Sequence, residues 1–169
     1  VQAAIDDLEA SGIGFSALIL CPAFLNEGFP VLDAGWLDPT LAVVRKAGGL
    51  FIADEVQPGF ARNGEAFWGH QRIGIKPDIV TMGKPMGNGH PVAAVATTAD
   101  IMAEFRSTFR YFNTFGGNPV SCAAAMAVLD VIADEGLQEN ARLVGIHARA
   151  GLEELATRHE CIGDVRGYG

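Results

Sequence analysis

Short apolar runs punctuate the first hundred residues of the chain, and their length suits strands better than helices. Four of them are predicted to be strands: Phe15–Cys21, Leu50–Ala53, Ile79–Met82 and Pro91–Ala96. Segments with helical spacing separate or follow them, at residues 37–47, 99–105, 121–133 and 137–158, and Asp38 and Thr98 are the predicted N-caps of the first two. Strands that are apolar on both faces and alternate with helices indicate an α/β three-layer sandwich with a mostly parallel sheet.

A carboxylate and an amine stand at the ends of two of these predicted strands. Asp54 follows Leu50–Ala53 directly, and Lys84 follows Ile79–Met82 after one glycine. Ligands of parallel sheets bind beyond the carboxyl ends of the strands. In pyridoxal phosphate chemistry a lysine forms a Schiff base with the cofactor aldehyde, and a carboxylate pairs with the pyridinium nitrogen. The pair therefore predicts an enzyme of amine and amino-acid metabolism.

The Asp54-Glu55 pair also resembles the Walker B element of nucleotide hydrolases, which requires a P-loop elsewhere in the chain. Gly83-Lys84 is the one place to look for that loop. Asp78 stands there in place of the first glycine, and Pro85 replaces the hydroxyl residue that would bind magnesium. A P-loop also precedes its Walker B element, so a nucleotide hydrolase is disfavoured.

Two interpretations remain open for Asn113-Thr114 and the following Gly116-Gly117. A hydroxyl and exposed backbone amides suit a phosphate group. The same residues also suit a cap for the helix predicted to begin near Pro119. That helix, 121–133, is rich in alanine and other apolar residues, and we expect it to be buried against a neighbouring element.

Composition narrows the possible partners. Hydrophobic residues make up 49% and charged residues 19% of the 169 residues, which is a globular balance. A net charge of −8 disfavours nucleic acid and anionic membranes as partners. The three cysteines are far apart and predict reduced thiols in a cytoplasmic protein, and no cysteine or histidine spacing predicts a metal site.

The chain resembles class III aminotransferases, the ornithine and 4-aminobutyrate type, of pyridoxal phosphate fold-type I. The resemblance covers nearly the whole chain and is carried by three segments, Phe51–Arg62, Lys76–Lys84 and Asn113–Pro119. It implies that residues 1–136 are part of the cofactor-binding large domain. It also implies that residues 137–169 form a long linking helix and the start of a C-terminal small domain. We therefore expect this chain to be an internal piece of a longer enzyme.

The resemblance also implies roles for five residues. Lys84 would form the Schiff base with pyridoxal 5'-phosphate, and Asp54 would pair with the pyridine nitrogen. Val56 would pack on a face of the ring, and Gln57 would hydrogen-bond the 3-oxygen of the ring. Thr114 would contact the phosphate of the partner subunit's cofactor, which implies a homodimer with shared active sites.

Residues 87–91 and 112–117 make the chain most similar to the alanine–glyoxylate aminotransferase 2-like branch of this family. The resemblance implies transfer of an amino group from an amine or amino acid to a 2-oxo acid. That branch also contains phospholyases, which eliminate phosphate from a phosphorylated amine such as phosphoethanolamine. The sequence leaves both activities open, with the aminotransferase as the first expectation.

Overall fold

The structure is a computed structural model that describes all residues from 1 to 169. Its helices are α1 (Gln2–Ala10), α2 (Asp38–Lys46), α3 (Gly69–Arg72), α4 (Ala99–Thr108), α5 (Pro119–Asp134) and α6 (Leu137–Ala156). Its strands are β1 (Ala17–Leu20), β2 (Leu50–Asp54), β3 (Ile79–Met82) and β4 (Ala94–Thr97). Two 3-10 helices, Leu25–Glu27 and Lys84–Gly87, follow β1 and β3.

The four strands form one open sheet in the order β1–β2–β3–β4. β1 pairs in parallel with β2 and β2 with β3, whereas β4 runs antiparallel to β3. The carboxyl ends of the first three strands therefore meet at one edge, where Asp54 is the register partner of Thr81. This topology confirms the predicted α/β fold with a mostly parallel sheet.

The core lies against one face of β2. Phe51 and Ala53 are both completely buried, because residues two apart in a strand point to the same face. Burial of a side chain such as Phe51 contributes roughly 1.5–3 kcal/mol to stability. The buried cluster around them is Leu32, Leu37, Phe51, Ala53, Ile73 and Ile75.

Asp78 joins the start of β3 to β2 at the edge opposite Asp54. Its Oδ2 accepts a hydrogen bond from the Phe51 amide at 2.6 Å and pairs with Arg45 at 2.5 Å. Partial burial opposes ionisation of this carboxyl, but the hydrogen bonds from Arg45 and Phe51 outweigh it. The pKa of Asp78 therefore lies below its ordinary value.

The predicted helix starts are partly confirmed. Thr98 caps α4 as predicted, because its side chain accepts the Ile101 amide. Asp38 is not the cap of α2: the cap position is Leu37, and Asp38 is the first helical residue. Leu37 is buried in the core and the Asp38 amide donates to Gly35 O in the preceding turn, so the helix begins one residue later.

The expected burial of α5 is wrong for these 169 residues. None of its residues is buried, and Val120, Met126 and Val131 are 66%, 56% and 43% exposed. The helix packs mainly against α6 and the 3-10 helix that begins at Lys84. An apolar composition predicts that the surface of a helix will be covered, but it does not identify the element that covers each face.

The long helix predicted after residue 136 is confirmed as α6, whose apolar residues Leu143, Ile146 and Leu152 are about half exposed. It contacts the loop after β2 at Gly64, where a Cβ atom would lie 2.7 Å from the Arg142 backbone.

The division into domains at residues 136 and 137 stays a prediction. No helix of the chain is both long enough and apolar enough to cross a membrane.

Candidate active site

Asp54 is the last residue of β2, and only one of its two carboxylate oxygens accepts hydrogen bonds from the chain. Its Oδ1 accepts hydrogen bonds from the Val56 amide at 3.1 Å and from the Thr81 hydroxyl at 3.3 Å. No group of the chain donates to its Oδ2, and the side chain is partly accessible. These contacts orient the carboxylate and leave it able to accept a hydrogen bond from a bound molecule.

Lys84 follows β3 on the neighbouring strand and has an unusual backbone. Its φ is +33°, in the left-handed region that non-glycine residues rarely adopt. Such a conformation costs on the order of 1 kcal/mol or more and is found preferentially at functional sites. The side chain is exposed and takes part in none of the ion pairs of the chain. Its amine is therefore free to react.

Glycines on both sides of Lys84 allow close packing around it. A Cβ atom on Gly83 would contact the Val56 side chain at 3.7 Å, so Val56 lies beside the start of the lysine segment. A Cβ atom on Gly87 would lie 2.7 Å from Val92, a distance that real contacts do not reach. The 3-10 turn that carries Lys84 therefore requires glycine at position 87.

A cavity of about 380 Å³ opens beside these groups. It is lined by Val56, Gln57, Arg62, Lys84, Pro85, Asn88 and Gly89. The structure thus brings together three of the predicted site residues in one cavity. Asp54 does not line it but lies next to it, since its Oδ1 holds the amide of Val56.

Arg62 and Asn88 are cavity residues that were not predicted from the sequence. Phe60 and Ala61 have φ values of +60° and +63°, and this reversal of the chain directs the following Arg62 toward the cavity. Neither residue is a glycine or an asparagine, so their own types do not signal a positive φ, although Pro58-Gly59 and Asn63-Gly64 beside them favour a turn. Asn88 also has a positive φ, of +44°, and its type and the glycines beside it were the available signal.

Thr114 lies outside this cavity, in the exposed loop between α4 and α5. The helix cap predicted for this loop is supplied by Asn118, whose Oδ1 accepts the Ser121 amide at 2.9 Å. Asn113 instead closes a local turn by accepting the amides of Phe115 and Gly116. The role of Thr114 at a partner subunit's cofactor stays a prediction.

A hydrogen-bonded bridge joins the lysine segment to this loop. His90 lies 2.8 Å from the Ser121 hydroxyl, measured from its Nε2 atom. The Asn118 amide nitrogen donates to the same hydroxyl at 3.0 Å. The segment after Lys84 and the start of α5 are therefore held together by one polar cluster that sequence spacing did not reveal.

The residues present fit pyridoxal phosphate. Asp54 has an unused carboxylate oxygen for a ring nitrogen, and Lys84 has an unpaired amine for an aldehyde. Gln57 brings a side-chain amide to the cavity, and Arg62 and Lys84 bring positive charge to a chain whose net charge is −8. No cluster of histidine, cysteine, aspartate and glutamate residues in the chain could hold a metal ion.

Comparisons with protein families and with individual proteins indicate the same family for this chain. Residues 2–169 match the aminotransferase class-III family. The chain is 50% identical to alanine–glyoxylate aminotransferase 2 homolog 2, mitochondrial, of Arabidopsis thaliana, over 97% of the chain and 34% of that protein. It is 43% identical to ethanolamine-phosphate phospho-lyase homolog 1 of Caenorhabditis elegans, over 100% of the chain and 37% of that protein.

A solved structure supports the same assignment. The phospholyase from Arthrobacter in complex with phosphoethanolamine superposes with a TM-score of 0.93 at 48% identity, over 99% of this chain and 40% of that one. The fold is therefore that of fold-type I pyridoxal phosphate enzymes. The chain spans about a third of the length of the curated relatives. Because the family match covers almost every residue, this chain belongs to the class III aminotransferase family.

Proposed function

We propose that this chain carries the catalytic lysine and acid of an enzyme that transfers an amino group from an amine or amino acid to a 2-oxo acid. The proposal rests on two groups at the ends of adjacent parallel strands. The Lys84 amine forms no ion pair, and the Asp54 carboxylate has one oxygen that accepts no hydrogen bond. Class III membership implies pyridoxal 5'-phosphate as the cofactor.

The reaction divides between the cofactor and these two side chains. Pyridoxal phosphate, when bound, supplies an aldehyde for amines and a ring that withdraws electrons from the carbon beside the nitrogen. Lys84 Nζ would hold the cofactor through its aldehyde, and its amine would carry a proton to and from the substrate carbon. Asp54 Oδ2 would accept a hydrogen bond from the protonated ring nitrogen and so stabilise the positive charge of the ring.

The remaining cavity residues hold the cofactor in place. Val56, which lies beside Gly83, would pack on a face of the ring, and the Gln57 side chain in the cavity wall would donate to a ring oxygen. Thr114 contacts the phosphate of the cofactor in the partner subunit, so that two copies complete each other's sites. This sharing explains why Thr114 lies in an exposed loop outside the cavity of its own chain.

Borohydride reduction of the full-length protein with bound cofactor tests the lysine assignment. The reduced bond is stable, so peptide mapping locates the pyridoxyl group on one residue. We expect it on Lys84, the only lysine lining the cavity. A pyridoxyl group on Lys46 or Lys76 instead would refute the assignment, since both lie outside the cavity.

A second candidate function is elimination of phosphate from a phosphorylated amine. The observation that favours it is the Arthrobacter phospholyase structure, which superposes with a TM-score of 0.93. An S-selective transaminase from Arthrobacter superposes with 0.83 over 99% of this chain at 32% identity, so both activities have similar structures. Both activities share amine capture by the cofactor and use of Lys84 as the proton carrier. They differ in whether phosphate leaves or nitrogen is passed to a 2-oxo acid.

Incubation of the full-length enzyme with phosphoethanolamine in the absence of any 2-oxo acid separates the two activities. Release of phosphate, ammonia and aldehyde identifies a lyase. Amino-group transfer that requires pyruvate, glyoxylate or 2-oxoglutarate identifies an aminotransferase. Lys84→Ala is the control, because it should abolish either activity and so excludes a contaminating phosphatase.

A further inference from the structure

Glu55 is a completely buried carboxylate that neither proposed reaction uses. We propose that Glu55 is a positioning residue for the cofactor site, which fixes the segment Asp54–Gln57 by binding the start of α3. The inference rests on the proposed function, because the segment matters only if the cavity binds the cofactor. It assigns Glu55 no contact with cofactor or substrate.

Every polar atom of Glu55 has a partner inside the chain. Its Oε2 accepts the Gly69 amide at 2.8 Å, and its Oε1 accepts the His70 amide at 2.8 Å. The His70 Nδ1 atom lies 2.8 Å from the same Oε1. The backbone amide of Glu55 donates to Thr81 O at 2.9 Å, and its carbonyl accepts the Gly59 amide at 3.1 Å. Such full satisfaction is what permits a carboxylate to be buried.

These partners join the elements on which the site depends. Glu55 lies between Asp54 and Val56, so its backbone is continuous with both. Its amide extends the β2–β3 pairing to Thr81, whose hydroxyl in turn donates to Asp54 Oδ1. The Glu55 side chain holds α3, which follows the loop that contains Arg62. A displacement of Glu55 would therefore move the acid and the cavity wall together.

Close packing around Glu55 leaves little room for adjustment. A Cβ atom on Gly59 would lie 2.8 Å from Glu55 O and 2.8 Å from the Trp68 ring. A Cβ atom on Gly69 would lie 2.9 Å from Pro58 and 3.3 Å from Glu55 Oε2. Both glycines allow neighbouring groups to pack more closely than a larger residue would permit. The position of the Glu55 carboxylate relative to α3 is therefore tightly constrained.

Glu55→Gln in the full-length protein is the decisive variant, because it keeps the shape of the side chain. It replaces one acceptor oxygen with an amide nitrogen, which would face an N–H donor of Gly69 or His70. We expect the cofactor Kd to rise by about tenfold or more, since a buried donor loses its partner. We also expect the visible absorption band of bound cofactor to shift, because Asp54 moves relative to the ring.

Asp78→Asn is the matched control. Asp78 is also a carboxylate that accepts a backbone amide of β2, but it lies at the opposite edge of the sheet. It should lower Tm, with the cofactor Kd and the absorption band unchanged. If loss of stability alone weakened cofactor binding, both variants would raise the cofactor Kd. A raised Kd in Glu55→Gln but not in Asp78→Asn therefore indicates positioning.

A lower Tm in Glu55→Gln with unchanged Kd and unchanged band would overturn the inference. If Glu55→Gln does not fold, Gly69→Ala replaces it, because the added methyl group displaces α3 from the carboxylate without removing any charge. An unchanged Kd and band in Gly69→Ala would then overturn the inference. Failure of the proposed function is recognised separately, since the wild-type protein would then carry no pyridoxyl group on Lys84 after reduction.

Discussion

The Asp54 carboxylate offers the sharpest test of the proposed chemistry through Asp54→Asn. The substitution keeps the size of the side chain, and its carbonyl oxygen can still accept the Val56 amide and the Thr81 hydroxyl. The change is therefore confined to the second position, where the free Oδ2 becomes an amide nitrogen. The fold should be preserved, and Tm should remain close to that of the wild type.

The size of the effect follows from the two interactions that change. A hydrogen bond to a charged group is worth about 1.5–3 kcal/mol, and a donor left facing another donor costs about 1–3 kcal/mol. Together they amount to about 2.5–6 kcal/mol of barrier. Each 1.36 kcal/mol is a factor of ten in rate, so the expected loss is on the order of 10³.

The assay is a single-turnover reaction of the full-length enzyme with a saturating amine substrate and saturating cofactor. Saturation removes any contribution from weaker cofactor binding. Thr81→Val is the matched control, because it removes one of the two hydrogen bonds to Oδ1 and keeps the negative charge. Its loss should be about tenfold, because this hydrogen bond is long at 3.3 Å and the Val56 amide still orients Oδ1.

Near-normal turnover in Asp54→Asn would refute the assignment of Asp54 to the ring nitrogen. A loss equal to that of Thr81→Val would refute it as well, since geometry alone would then account for the effect. A large loss in Asp54→Asn with a small one in Thr81→Val is the expected result, because only the first variant removes the charge.

Three further predictions concern other parts of the chain. Mixing Thr114→Ala with Lys84→Ala subunits of the full-length enzyme should restore activity that neither has alone; a mixture no better than its components contradicts site sharing. The lowered pKa of Asp78 means that its stabilisation is present above the ordinary value of 3.8 and is lost as pH falls through the folded pKa. The Tm difference between wild type and Asp78→Asn should therefore shrink below about pH 4, and a constant difference argues against it. Asn118→Ala should lower the free energy of unfolding by about 1 kcal/mol in urea titrations, because it removes the α5 cap; an unchanged midpoint would contradict the cap.

Local patterns accounted for most of the fold. The predicted strand Ile79–Met82 is observed with the same limits, and Leu50–Ala53 is extended by one residue to Asp54. The apolar runs alone predicted these limits, although only one face of β2, at Phe51 and Ala53, is completely buried in the structure. The start of α2 was missed by one residue because burial of Leu37, a tertiary effect, decided it.

The candidate site was predictable where its residues follow strands directly. Val56 and Gln57, which the family resemblance named, meet Lys84 in one cavity because β2 and β3 are parallel neighbours. The sequence pattern implied that these strands are parallel, but not that they are adjacent. Arg62 was not predictable, since it reaches the cavity only through a turn at two residues that carry no turn signal. The environment of Thr114 in the intact assembly stays a prediction.

The sequence by itself determined the α/β class, the family, and the placement of an acid and an amine after the carboxyl ends of two strands. These features depend on residue type and on spacing over a few positions. Only the tertiary structure decided that Glu55 is buried against α3, that His90 binds Ser121, and that α5 keeps its apolar residues exposed. Each depends on contacts between residues that are distant in the chain, and such contacts form only when the sheet and its connections are in place.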